Sequence, residues 1–216
     1  MFIGHFGAGL AAKPLARRVS LGTLFLASQF IDLIWPTLLL LGLETVRIAP
    51  GDTKLTPLEF VHYPISHSLL AVAGWSVLFG AVHFAVRRRA SEALLCGALV
   101  TSHWLLDLLT HRPDLPLSPG GAARVGLGLW NYPALAIGIE VLVFACGLLL
   151  YLRTTTSSDK VGRFGLWALV GFLALVYAGN VLGPPPPAAR AIVWAGQAQW
   201  LLVAWAYWVD RHREVS

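Results

Sequence analysis

Long apolar runs separated by short polar breaks dominate the chain. A membrane-spanning helix needs about 20 mostly apolar residues, and six stretches meet that requirement: residues 20–43, 65–86, 90–110, 131–152, 163–183 and 190–209. The segments between them read as breaks. "ETVRIAPGDTKLTPLE" carries charges together with Pro50, Gly51 and Pro57, "HRPDLPLSPGGAAR" is rich in proline and glycine, and "GPPPPAAR" is too stiff and polar to be helical. The pattern predicts an all-α fold, a polytopic transmembrane helix bundle of about six spans forming a single membrane-embedded domain over residues 1–216. The opening "MFIGHFGAGLAA" is apolar but too short to cross. It is expected to form a half-helix rising from the Lys13–Arg18 turn toward mid-membrane, which would lift His5 to the depth of Asp32. The alternative is an interfacial helix lying flat on the bilayer.

Composition supports this class. Of 216 residues 56% are hydrophobic and only 12% charged, and the mean hydropathy of +0.67 is too high for an ordinary soluble domain. The net charge of +5 does not point to nucleic acid, because Lys and Arg sit in short clusters at the ends of apolar runs, as helix-end anchors do. Taken in alternate segments, Lys13, Arg17, Arg18, Arg87–Arg89, Arg153, Lys160, Arg163, Arg211 and Arg213 fall on one side. Arg47, Lys54, Arg112, Arg124 and Arg190 fall on the other. The positive-inside bias therefore predicts cytoplasmic termini, with the loops at 44–64 and 111–130 facing outward. Cys96 and Cys146 lie in apolar stretches without a CxxC pairing, which argues against thiolate metal sites and a disulfide framework. A cleaved signal peptide is a poor reading of the run after Arg18, which is long and contains Asp32.

Ionisable side chains inside spans are costly, and each is a functional candidate. Asp32, His67, His103, Asp107 and Glu140 all fall in the middle to outer part of the bilayer under this orientation. His103 and Asp107, at i and i+4, project from one helix face a turn apart. Such a pair suits Zn²⁺ or a harder ion such as Mn²⁺; the alternative is a buried His–Asp hydrogen bond. His111 follows on nearly the same face before Pro113 stops the helix. In "HYPISHSLL", His62 and His67 would lie about 140° apart on a continuous helix. Pro64, favoured in a first helical turn, instead puts His62 on the incoming loop and His67 on the helix, so that both can converge on one site; a capping arrangement with a spare histidine is equally open. Glu140 is expected to ligate a metal, to act as a base, or to hydrogen-bond Asn180 or Ser76.

Together these stretches resemble the bacterial inner-membrane metal-dependent hydrolases. That family carries an early His, a Pro-Asp-hydrophobic-Asp motif, a His-Arg-Gly-x-Thr-His-Ser-Leu-Leu motif and a Ser-His-x-x-x-Asp motif. His5, "HYPISHSLLA" and "SHWLLDLLT" match in order over roughly the first 120 residues. Phe30 stands where the family has its first aspartate, and Tyr63-Pro64 replace Arg-Gly. The missing carboxylate implies a single metal or a degenerate site instead of a two-metal centre. The family is in turn remotely similar to zinc-dependent phospholipase C, which implies phosphoester hydrolysis. The resemblance implies His5, Asp32, His67, His103 and Asp107 as metal ligands, zinc as the most favoured ion, and membrane lipids or a lipid phosphoester as partner and substrate. It leaves His62 as a ligand or base, His111 as a proton donor or, with Arg112, a phosphate contact, and Ser68 and Ser102 as groups that orient imidazoles. Two other classes compete: a transporter or proton relay using the same cluster, and an inactive membrane scaffold.

Overall fold

A computed structural model describes all of residues 1–216. It is mostly helical. α1 (Ile3–Ala11) is the expected half-helix, and it lies inside the bundle: Ile3, Phe6 and Leu10 are buried in one core cluster with Phe144, Leu166 and Val203. The turn after it is fastened by Lys13, whose Nζ donates to the Val19 carbonyl (2.9 Å) and to Asp210 (3.1 Å) at the far end of the chain.

The first predicted span is not one helix. α2 (Leu21–Ser28), capped by Ser20 Oγ on the Thr23 amide, and α3 (Phe30–Leu40) meet at Gln29 with a bend of 57°. Neither glycine nor proline causes the break. Gln29 leaves helical geometry (φ −103°, ψ 2°), and the Ser28 carbonyl accepts a hydrogen bond from His103 Nδ1 at 2.8 Å. The 44–64 loop forms a β-hairpin, β1 (Thr45–Ile48) antiparallel to β2 (Leu58–His62), with Arg47 opposite Glu59. The second span is also interrupted. α4 (Pro64–His67) is a single turn with Pro64 at its start, Ser68 is extended (ψ 141°), and α5 (Leu69–Arg87) then runs across the apolar layer. Arg88 closes α5 in the left-handed region (φ 56°), a costly conformation for a non-glycine residue that allows an abrupt return into α6 (Ala90–Thr110).

α7 (Pro133–Thr154), α8 (Lys160–Leu182) and α9 (Ala189–Asp210) complete the bundle. Two short β-ribbons trim its ends. β3 (Leu115–Pro116) pairs with β4 (Arg124–Val125), and β5 (Thr155–Ser157) pairs with β6 (Arg213–Val215). Four helices, α5 to α8, are long and apolar enough to cross a membrane, and the bent α2–α3 pair makes a fifth. The sixth sequence-predicted span, α9, has the length at 22 residues but falls short in apolarity. The chain is a helical membrane protein, with Val77, Val82, Leu175 and Leu182 exposed on the outer helix faces.

In a bilayer the lipid is as apolar as the side chains, so close backbone approach holds helices together better than aliphatic bulk does. α1 and α7 meet in this way. A Cβ on Gly7 would lie 2.7 Å from Phe144 Cα, and one on Gly147 would collide with the Gly7 carbonyl. This contact presses α1 against α7 and fixes the depth of His5.

Candidate metal centre

Five of the sequence-predicted residues meet at one point, each delivered by a different structural device. α1 brings His5, the bend at Gln29 turns Asp32 inward, Pro64 starts the turn that carries His67, and α6 supplies His103 and Asp107 one turn apart. His5, His67, His103 and Asp107 are almost fully buried, while the Asp32 side chain keeps 18% exposure and marks the open side. The ligand-capable atoms form two overlapping triads, Asp32–His67–His103 and His5–His103–Asp107. Nε2 of His67 lies 3.5 Å from Asp32 Oδ1 and 3.8 Å from Asp107 Oδ2, and Nε2 of His103 lies 3.6 and 3.2 Å from the same two oxygens. Most of these separations are too long for the short hydrogen bonds of a charged pair, about 2.7–2.9 Å. They bracket the ~3.4 Å that separates two donors on one tetrahedral ion at Zn–N and Zn–O distances of ~2.1 Å.

The partners of the other imidazole nitrogens assign the tautomers. His103 Nδ1 faces the Ser28 carbonyl, which can only accept, so Nδ1 carries a proton, and in the neutral ring Nε2 keeps the lone pair. His67 Nδ1 lies 2.7 Å from Ser66 Oγ. The Ser66 hydroxyl donates to Glu44 Oε2 at 2.6 Å, so it must accept from His67, and in the neutral ring Nε2 again keeps its lone pair. Glu44 is itself buried and held by the amides of Ile65 and Ser66, both 2.8 Å from Oε1. Such outward bonds fix the tautomer and ring orientation of a metal-ligating histidine. His103 Nε2 and His5 Nδ1 are buried without a hydrogen-bond partner. The His5 and His103 rings stack at 3.5 Å. His5 Nε2 and the Met1 amino group both contact Asp107 Oδ1, at 3.1 and 2.6 Å, which leaves Oδ2 facing the histidines.

Several candidates lie elsewhere. His62 sits exposed at the end of β2 and does not join the cluster, because Tyr63 turns the chain between it and His67. Glu140 is buried, but its Oε2 accepts from the amides of Phe2 (2.8 Å) and Gly4 (3.5 Å); it satisfies the open end of α1, and neither Asn180 nor Ser76 is its partner. His111 is buried beside Trp130 and Phe60, with Nδ1 2.9 Å from Asp114. Burial holds its pKa below the usual histidine value, against the opposing pull of Asp114. Burial alone would raise the pKa of Asp114, but hydrogen bonds from His111, Tyr63 and Arg112 outweigh it and keep the carboxylate ionised. Arg112 is committed to Asp52 and Asp114 and is not a free phosphate contact. Ser68 and Ser102 touch no imidazole: Ser68 caps α5, and Ser102 donates to the Leu99 carbonyl.

Three residues that sequence reasoning missed take the supporting places. Glu44 and Ser66 set His67, and Tyr63, whose ring lies 5.2 Å from that of His67, donates its hydroxyl to Asp114. Phe30 packs edge-on against Trp75 and Phe79 and contributes no polar group.

No curated protein and no solved structure matches this chain. A family model does, over residues 2–183, which takes in the cluster and all but the last helix. The chain belongs to the YdjM inner membrane protein family.

Proposed function

We propose that this inner-membrane protein is a metal-dependent hydrolase of phosphoesters, with a single divalent ion, zinc or manganese, held by Asp32, His67 and His103. One observation carries the reading. Two histidines with their Nδ1 protons committed outward turn Nε2 toward the same two carboxylates, at 3.2 to 3.8 Å with no short hydrogen bond between them. A divalent cation fits such a set of ligand atoms. Two histidines and one carboxylate with an open side match the three-ligand pattern of catalytic zinc sites. His103 belongs to both triads but has only one free lone pair, which favours one ion over two.

The chemistry such an ion supplies is a bound water with a pKa near ~7 and polarisation of the phosphoryl oxygen. The protein's own groups would do the rest. Asp107 Oδ2 would take a proton from the attacking water, while the Met1 amino group and His5 hold Oδ1. His111 is oriented through Nδ1 by Asp114, and the proton that Asp107 takes from the water would pass to the leaving group. Counting the bent α2–α3 pair and α9 as spans gives six crossings. The arginine-rich ends then face the cytoplasm, and the cluster opens toward the outer leaflet, where a lipid phosphoester can reach it.

The test is turnover of bis(p-nitrophenyl) phosphate and of phospholipid in detergent, with and without added zinc. Metal-dependent hydrolysis lost in Asp32→Ala and His103→Ala is expected. Metal binding with no hydrolysis of any phosphoester would overturn the enzymatic reading and leave cation transport or a scaffold.

A further inference from the structure

A cavity of about 550 Å³ lies between α2 and α5 and touches none of the cluster residues. It exists because α5 leans on α6 along its length and leaves α2 largely uncovered on that side. Its depth is apolar, walled by Leu26, Phe30 and Phe79, and its mouth carries Arg18 and Arg87, one from each side. Phe30, which adds nothing to the metal cluster, is part of this wall.

The charges at the mouth are what make the cavity specific. Lys13, Arg89 and Arg112 all have acidic partners within 4.0 Å, whereas Arg18 and Arg87 have none. Two uncompensated guanidinium groups at the end of an apolar slot, at the arginine-rich ends of the helices, complement a molecule with an anionic head and a hydrocarbon tail. Basic pockets between membrane helices are built to take such lipids, and the volume falls within the ordinary range of ligand sites. His83 adds a polar wall, its Nε2 facing Glu92 Oε2 at 3.6 Å.

We infer that the α2–α5 cavity binds an anionic glycerophospholipid, its phosphate between Arg18 and Arg87 and one acyl chain running toward Phe30. This lipid is not the substrate of the metal centre. Arg87 lies eighteen residues along α5 from Leu69, about 27 Å at 1.5 Å per residue, so a phosphate at the mouth is far from His67. The lipid instead fills the wedge between α2 and α5.

Native mass spectrometry of the detergent-purified protein tests this, titrating dioleoyl phosphatidylglycerol against dioleoyl phosphatidylcholine. The expected result is preferential retention of one phosphatidylglycerol. The Arg18→Gln/Arg87→Gln double variant should lose about thirtyfold in affinity, a factor of about five for each basic contact at an anionic surface. Arg88→Gln/Arg89→Gln should keep the preference, and Val82→Trp, which narrows the slot, should weaken both lipids. Equal retention of the two lipids, a preference that survives the double variant, or displacement by glycerol 3-phosphate alone would overturn the inference. Bound metal, measured on the same samples, stays unchanged in the double variant, so this outcome is separate from that of the hydrolase reading.

Discussion

Replacing Glu44 by glutamine isolates the tautomer of His67. In the wild type the Glu44 carboxylate takes two backbone amides on Oε1 and the Ser66 hydroxyl on Oε2, and this forces Ser66 to accept from His67 Nδ1. A glutamine can keep its oxygen on the two amides, but its amino group then faces Ser66 and donates to it. The Ser66 proton must turn to His67 Nδ1, which pushes the imidazole proton to Nε2 and presents an N–H where the lone pair stood. The loop geometry survives, while the ligand is lost in a fraction of molecules. Losing such a supporting partner costs about 10- to 100-fold in metal affinity, and a drop of that size in Glu44→Gln is expected from competition with a chromophoric zinc chelator in detergent. Thermal unfolding of the metal-free protein should be nearly unchanged. Glu44→Ala serves as the contrast, since it also strips the two buried amides of their acceptor at about 1–3 kcal/mol each and should lower metal-free stability as well. Unchanged zinc affinity in Glu44→Gln would refute the assignment of His67 as an Nε2 ligand set through Ser66.

Three further outcomes follow from the same structure. Gly147→Ala drives a Cβ into the Gly7 carbonyl, so α1 must retreat from α7; a loss of about 1–3 kcal/mol in stability together with weaker metal binding is expected, and wild-type behaviour of both would contradict the placement of α1. His62→Ala should leave metal content and turnover as they are, because the side chain is exposed outside the cluster; loss of either would return His62 to the site. Asp159 caps α8 by accepting the Gly162 amide, and that bond, with His212, holds its pKa below the usual value. A lowered carboxylate pKa stabilises the fold above the unfolded value of about 3.9 and loses that effect as pH falls through the folded value. Asp159→Ala should therefore lower the unfolding temperature at neutral pH and converge with the wild type in acid; a gap that persists there would exclude the charged cap.

The positions of the helices were legible because apolar run length is a local property, and so were the five converging residues, whose charge contradicts their surroundings. What escaped depends on partners distant in sequence. The break at Gln29 has no proline or glycine to announce it, and it rests on a carbonyl claimed by His103, seventy-five residues away. Glu44 looked like a charge in a polar break, yet it turns back to serve a turn more than twenty residues later. Glu140 was visible as an ionisable group in a span, but its role in closing the N-terminus of α1 required knowing that α1 packs on α7. His62 failed for the opposite reason: Pro64 did start a helical turn, but the strand before it carried His62 away. Phe30 reads as a lost ligand in sequence, whereas in the fold it is a wall of the cavity between α2 and α5.

In the proposed centre Asp32, His67 and His103 hold one divalent ion. Elemental analysis of the protein purified in detergent without chelator tests it most directly, with His103→Ala and Asp32→Ala run alongside. One zinc or manganese per chain is expected in the wild type and little in either variant. A wild-type protein that folds, as judged by its unfolding transition, but neither carries nor takes up a stoichiometric divalent ion would contradict it.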